Sequence, residues 1–327
     1  MEFSPFHDGL LAIASAQYFG IVGNGRQYVV QLDASAPGGA RVLRVFETND
    51  GVFDVTWNES NEHQLASATG DGSVKLFDMN ARDMFPVASW KEHAQECASV
   101  DWSLVRKDAF VTASWDRTCK LFDPLHARSL RTFAEHTKGV YNAQWSPRHA
   151  NSFASCSGDS TFRVWDIAAP RSVLAVTAHQ GEVLAVDWSK YNEFVVVTGA
   201  TDRTLKVWDL RRPVGPVQTL AGHDYAIRRL KCSPTDERHV LTCSYDMTAI
   251  LWDVHAPEDA IVMRFDHHSE FVFGVDFNLF RANQVATASW DEFVCVFDVN
   301  APPGRIPPVG RKPPAGGGVA GPGLIPR

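Results

Sequence analysis

Thr201-Asp202-Arg203-Thr204-Leu205-Lys206-Val207-Trp208-Asp209 decides the fold, because the chain repeats its pattern six times. The copies are GDGSVKLFD at 70–78, WDRTCKLFD at 115–123, GDSTFRVWD at 158–166, TDRTLKVWD at 201–209, YDMTAILWD at 245–253 and WDEFVCVFD at 290–298. Their first aspartates, Asp71, Asp116, Asp159, Asp202, Asp246 and Asp291, are separated by 45, 43, 43, 44 and 45 residues. Four residues before each stands a hydroxyl: Ser67, Thr112, Ser155, Thr198, Thr242 or Thr287. Twenty-three residues before each stands His93, His136, His179, His223 or His268, with Thr48 in that place for the first copy. A fixed period of this length marks a repeat architecture.

The pattern is the signature of WD repeats. Runs such as Thr204-Leu205-Lys206-Val207-Trp208 suit half-buried antiparallel strands, and turns built on Asp, Gly and Ser separate them. Four strands of ~5–6 residues with their turns account for the period. One such sheet cannot bury both its faces, so the sheets stack radially. Six clear repeats follow a degenerate opening one, with Phe3-Ser4-Pro5 and strand-like runs at 11–16, 28–32 and 42–46. The expectation is an all-β, seven-bladed WD40-type β-propeller over residues 1–300. Phe3-Ser4-Pro5 aligns with Trp145-Ser146-Pro147 at the end of a first strand, so the chain opens in mid-strand. The period then implies a closing segment of about 20 further residues upstream. Residues 301–327 are rich in Pro and Gly and read as a disordered tail with no fourth strand for the last blade.

Composition agrees with a folded domain: 45% apolar and 21% charged in 327 residues. No stretch approaches the ~18 apolar residues of a membrane helix, and Met1 to Pro5 do not read as a secretory signal. Residues 299–327 hold four bases and no acid; subtracting those four from the net −7 leaves −11 on the remainder. That charge argues against nucleic acid and for a cationic partner. The six cysteines lie far apart with no C-x-x-C, so they read as reduced intracellular thiols.

Twelve histidines with recurring Asp and Ser/Thr invite a hydrolase reading, and the periodicity argues against it. A catalytic triad is one converging cluster, not a set repeated in blade after blade. His93, His136, His179, His223 and His268, with the six aspartates, are read as a structural network of mutually satisfied buried groups. Phe77, Phe122 and Phe297 lack the indole of Trp165, Trp208 and Trp252, so three blades are expected to carry a shortened network. His267-His268 and His7-Asp8 are isolated pairs without the four-ligand spacing of a zinc site. Gly20 to Gly25 has no Lys-Ser/Thr after it and reads as a turn, not a phosphate loop. No catalytic residue, metal site or cofactor is assigned.

Trp57, Trp102, Trp145 and Trp188 end first strands, and Trp90 fits no class. Trp115 and Trp290 instead precede the turn aspartate, where Tyr245 also stands. Large aromatics at that rim suit a partner's anchor; packing against neighbouring loops is the alternative. Asp50, Glu96, Glu182, Asp224 and Glu270 lie within three residues of the repeat-histidine position. Together these residues make an acidic, aromatic platform for a short basic amphipathic peptide.

Segments outside the generic repeat carry a narrower resemblance. Ala16 to Ile21, Asn49 to Trp57, Lys91 to Glu96, Lys190 to Glu193, Tyr225 to Arg229, Cys243 to Asp246 and His267 to Phe271 resemble the peroxisomal targeting signal type 2 receptor family. Cys232 departs from it, standing where the family favours an aromatic. The resemblance implies a receptor moving between cytosol and peroxisome matrix. It would bind an N-terminal nonapeptide signal, Arg/Lys-Leu-(any five)-His/Gln-Leu, as an amphipathic helix. It implies an import co-receptor (the long form of the type 1 signal receptor or an equivalent) and a peroxisomal docking complex as further partners. Asp50 and Glu96 match family positions that face the signal's basic residue; with Trp115, Glu182, Tyr245, Glu270 and Trp290 they are the candidate peptide-binding residues. A generic scaffold, a ubiquitin-ligase substrate adaptor, or an enzyme using an unrepeated His cluster are the other readings.

Overall fold

A computed structural model describes residues 1–18, 23–300 and 308–309. These form seven four-stranded antiparallel sheets, each made of four strands consecutive in the chain, β1–β4 through β25–β28. Blade 1 is β1 (Glu2–Phe3), β2 (Leu10–Ala16), β3 (Gly25–Leu32) and β4 (Ala40–Thr48); blade 7 is β25 (Val272–Phe277), β26 (Gln284–Ser289), β27 (Val294–Asp298) and β28 (Pro308–Val309). The innermost strands of blades 2 to 6 are β5 (Val52–Trp57), β9 (Cys97–Trp102), β13 (Val140–Trp145), β17 (Val183–Trp188) and β21 (Ile227–Cys232). The seven-bladed propeller is therefore present. β1 is two residues long. Residues 19–22, which take in part of the Gly20–Gly25 stretch read as a turn, lie outside the described residues, as does most of 301–327.

Blade 7 does have a fourth strand, contrary to the reading of the sequence. Val309 pairs with Val294 and Pro308 with Cys295. Pro308 cannot donate to a ladder, which is tolerable only at an edge.

Blades stack through apolar faces, such as Val111 and Phe133 of blade 3 against Ala143, Phe153 and Trp165 of blade 4. Polar side chains on the inner strands then stitch neighbour to neighbour. Asp101 accepts the Trp145 N–H at 2.7 Å, Asp187 the Cys232 N–H at 2.8 Å and Asp276 the Phe3 N–H at 2.7 Å. The last of these joins blade 7 to blade 1, as does the Asp8–Arg281 pair at 2.9 Å. Across the channel, Arg229 donates to Asp54 at 2.6 Å, and both are buried. Each satisfied bond offsets the cost of placing a polar group inside.

In blades 2 to 7 the turn before the third strand has one conformation. The residue after the network aspartate is left-handed in all six copies: Gly72, Arg117, Ser160, Arg203, Met247 and Glu292. The aspartate holds it by accepting the N–H two residues on, at 3.0 Å for Ser73 and 2.9 Å for Thr248. Gly72 has a further reason to be glycine, since a Cβ there would lie 2.6 Å from the carbonyl oxygens of His93 and Gln95.

Candidate functional site

The repeat histidines build the rim. In blade 5 the Asp202 carboxylate lies 3.0 Å from His179 Nδ1, and His179 Nε2 lies 2.8 Å from Thr198 Oγ1. Trp208 Nε1 donates to the same hydroxyl at 2.9 Å. A carboxylate only accepts, so Nδ1 carries the proton, Nε2 accepts from the hydroxyl and the hydroxyl accepts from the indole. His93, His136, His223 and His268 repeat the pairing with Asp116, Asp159, Asp246 and Asp291 at 2.7–2.9 Å. Burial pushes the Asp116, Asp159 and Asp246 carboxyls up, but hydrogen bonds from the histidine, the Thr two residues on and a backbone N–H hold them below the usual range. Burial lowers His179 to about 4. These groups are mutually consumed.

Three blades depart from the set in ways the sequence did not suggest. In blade 2, Gln27 from β3 stands in for the missing histidine and accepts from Ser67 at 3.1 Å. In blade 3, Trp90 from the neighbouring outer strand packs against Phe110 and Phe122, its ring centroids 5.5 and 5.9 Å from theirs, and donates to the His126 carbonyl. That accounts for the one tryptophan the periodicity left unexplained. In blade 7 the network is not shortened by Phe297: His267 Nε2 lies 3.0 Å from Thr287 Oγ1, where an indole N–H sits in blades 4 to 6.

The network fixes two sets of loops side by side on one rim. The loops entering the inner strands carry Asp50, Glu96, Glu182, Asp224 and Glu270; the turns carry Gly70, Trp115, Gly158, Thr201, Tyr245 and Trp290. Backbone bonds join them, from Gly70 to Gly51 at 2.8 Å, Trp115 to Glu96 at 3.1 Å, Thr201 to Glu182 at 2.9 Å and Trp290 to Phe271 at 3.0 Å.

A second feature was not foreseen. Each inner strand of blades 2 to 7 slips register by one residue near its start, so one residue is unpaired: Phe53, Ala98, Tyr141, Leu184, Arg228 or Phe273. A bulge re-aims its side chain, and here the large ones join the turn aromatics. Trp115, 39% exposed, lies between Phe53 and Tyr141 at 6.4 and 6.3 Å. Tyr141 donates its hydroxyl to Glu182 at 2.8 Å. Burial and this bond to a carboxylate both raise the Tyr141 phenol above its ordinary value, so it stays a donor. On the other side Trp290 stacks on Phe273 at 4.4 Å, and Tyr245 meets Phe271 and Phe273 edge-on at 5.1 and 5.5 Å.

The face thus divides in two. Asp50, Trp115 and Glu182 fall into one arc with Phe53 and Tyr141; Tyr245 and Trp290 fall into a second with Phe271, Phe273 and Arg228. Asp50 sits over Gly70, where a Cβ would be 2.8 Å from its Oδ1, and Glu182 over Gly158, where a Cβ would be 3.2 Å from its Oε1. These glycines leave room for the acids. Glu96 is tied to the first arc through its carbonyl, while Glu270 is exposed and accepts the Ser289 hydroxyl on its carbonyl. Arg228 lies 5.4 Å over the Phe273 ring and tempers the acidity of the second arc. The bulge residues could have been sought where a large or charged residue breaks strand alternation, as in Val52-Phe53-Asp54-Val55. All six cysteines are free and buried. No helix among the described residues is long and apolar enough to cross a membrane.

The model of the WD domain, G-beta repeat matches residues 40–78, 84–123, 127–166, 170–209 and 215–253. Each match begins with the outer strand of one blade and continues into the next, which interlocks neighbours. A protein of Dictyostelium discoideum named peroxisomal targeting signal 2 receptor is 60% identical over 285 residues, 87% of this chain and 89% of that protein. A mouse protein of the same name is 52% identical over 91% of this chain and 92% of its own length. An Arabidopsis thaliana protein named peroxisome biogenesis protein 7 is 55% identical over 93% and 95%. With these likenesses spanning nearly its whole length, the chain belongs to the peroxisomal targeting signal 2 receptor family of WD-repeat propellers.

Proposed function

We propose that the chain binds the N-terminal type 2 signal of peroxisomal matrix proteins and delivers its cargo from the cytosol to the peroxisome, together with an import co-receptor and the docking complex. The observation that carries this reading is the joining of acidic loops with bulge-projected aromatics on one rim. A basic amphipathic helix needs both: carboxylates for its Arg or Lys and flat rings for its leucines. Asp50, Glu96 and Glu182 take the signal's basic end, and Trp115, Tyr245 and Trp290 grip its apolar stripe, with Glu270 at the margin. The repeat His–Asp pairs give this surface rigidity and take no part in chemistry, since each is spent on its partners.

The direct test is fluorescence anisotropy of a labelled type 2 signal peptide titrated with the chain, with and without co-receptor. Saturable binding, lost on scrambling the peptide's leucines and basic residue, is the expected result. Equal affinity for the scrambled peptide would point to a general scaffold or adaptor instead.

A further inference from the structure

We propose that His267, His268 and Cys295 bind one thiophilic d10 cation, with Zn2+ as the cation to test. One ligand atom from each lies within 4.8 Å of the other two. Zinc holds nitrogen and sulfur donors at about 2.0–2.3 Å, so side-chain rotations of about 1 Å bring this trio to ligating distance. Imidazole and thiolate together are the donor set of zinc rather than of magnesium or calcium.

Comparison between blades supplies an independent reason. The residue before the repeat histidine and the middle residue of the third strand face each other; in blades 3 to 5 a cation on the third strand makes an ionic or polar contact there, while blade 6 has Gly222 and Ile250. Glu135 pairs with Arg163 at 2.6 Å in blade 4, and Glu92 with Lys120 at 3.8 Å in blade 3. In blade 5, Lys206 donates to the Ala178 carbonyl at 2.8 Å. In blade 7 the same two positions hold His267 and Cys295, two soft ligands beside a third, His268.

The surroundings orient these ligands. Asp291 takes the Nδ1 proton of His268 at 2.8 Å, leaving the Nε2 lone pair turned inward, which is the carboxylate–histidine arrangement that fixes metal-bound imidazoles. Burial and its histidine neighbour lower His267 to about 4, so it is a neutral ligand at pH 7. The Cys295 thiol, pushed up to about 12 by burial, gives up its proton to solvent as the metal–sulfur bond forms. The Thr287 hydroxyl, which now bonds both rings, moves aside or supplies the fourth ligand.

A cation here would tie β27 to the loop that enters β25. Among the described residues the outer edge of β27 pairs with the two residues of β28, so a cation would add a second tie to this strand. Glu270 and Trp290 of the rim flank the same loop and turn.

The experiment uses the full chain, stripped with chelator and kept reduced. Cd2+ should bind one per chain with a sulfur-to-metal absorption band, and Zn2+ should raise the melting temperature in a concentration-dependent way. Cys295→Ser and His267→Gln should each abolish the band and the shift, while Cys119→Ser should keep both. Circular dichroism of the metal-free variants verifies folding. Absence of the band in the unmodified chain overturns the proposal without any variant, and a band that survives Cys295→Ser overturns it by placing the thiolate elsewhere.

Discussion

Asp202→Ala tests whether the repeat network is scaffold or chemistry. The carboxylate accepts from His179 Nδ1 at 3.0 Å, from the Thr204 N–H and hydroxyl at 3.1 and 2.7 Å and from the Gln180 N–H at 3.3 Å. The Gln180 and Thr204 donors sit near the rim, where water replaces the lost oxygen at little cost. The His179 side chain is fully buried, so water does not replace the carboxylate and its Nδ1–H is left with only the longer contact to the Thr204 hydroxyl at 3.2 Å among the described residues. Stranding one such donor costs about 1–3 kcal/mol. Loosening of the ring also weakens the hydroxyl and indole bonds behind it, which favours the upper half of that range. Urea unfolding followed by tryptophan fluorescence measures the loss. Signal-peptide affinity per folded molecule should change far less than stability, because the partners of the Asp202 carboxylate (His179, Gln180 and Thr204) belong to neither aromatic arc. Unaltered stability with abolished peptide binding would refute the structural reading.

Other outcomes follow from the same geometry. Gly70→Ala places a Cβ 2.8 Å from Asp50 Oδ1, so the acid must swing away; peptide affinity should fall about tenfold, ~1.4 kcal/mol. The melting temperature should hold, since Trp115 and Tyr245 occupy that position in other blades, and unchanged affinity would remove Asp50 from the contact. His179 and His267 have folded values near 4 against an ordinary 6.5, so between those pH values the unfolded chain binds more protons. Their stabilisation is therefore complete above pH 6.5 and is lost as pH falls toward 4; a denaturation midpoint flat across that window would contradict the assignment. Removing residues 301–327 takes away the two-residue pairing with β27, so the melting temperature should drop only slightly. A large drop would show that this segment closes the ring.

The period made the propeller legible, because the His, hydroxyl and Asp positions are locked to strand ends by the bonds they make. The acids and turn aromatics were legible for the same reason: their offsets from the repeat histidine place them on one rim. Phe53, Tyr141, Arg228 and Phe273 were less so, since a break in strand alternation alone does not say that the register slips there and re-aims the side chain. Gln27, Trp90 and His267 were hidden differently. Each fills a vacancy in a blade from a position outside the repeat set, and such compensation is decided by packing in three dimensions. Cys295 escaped notice as a ligand because strand pairing, not sequence spacing, brings it beside the two histidines.

The most direct test of the central claim is a charge swap at Glu96, with Asp50 treated in parallel. Glu96→Lys should weaken the normal signal peptide by about 2–5 kcal/mol, the usual cost of breaking a partly buried interfacial charge pair. Its melting temperature should move little, because among the described residues Glu96 engages the fold through its backbone carbonyl and no side-chain bond. Pairing Glu96→Lys with a peptide whose basic residue is made acidic should restore part of the affinity. Unchanged affinity of Glu96→Lys for the normal peptide would contradict an acidic contact there and leave Trp115, Tyr245 and Trp290 to carry recognition.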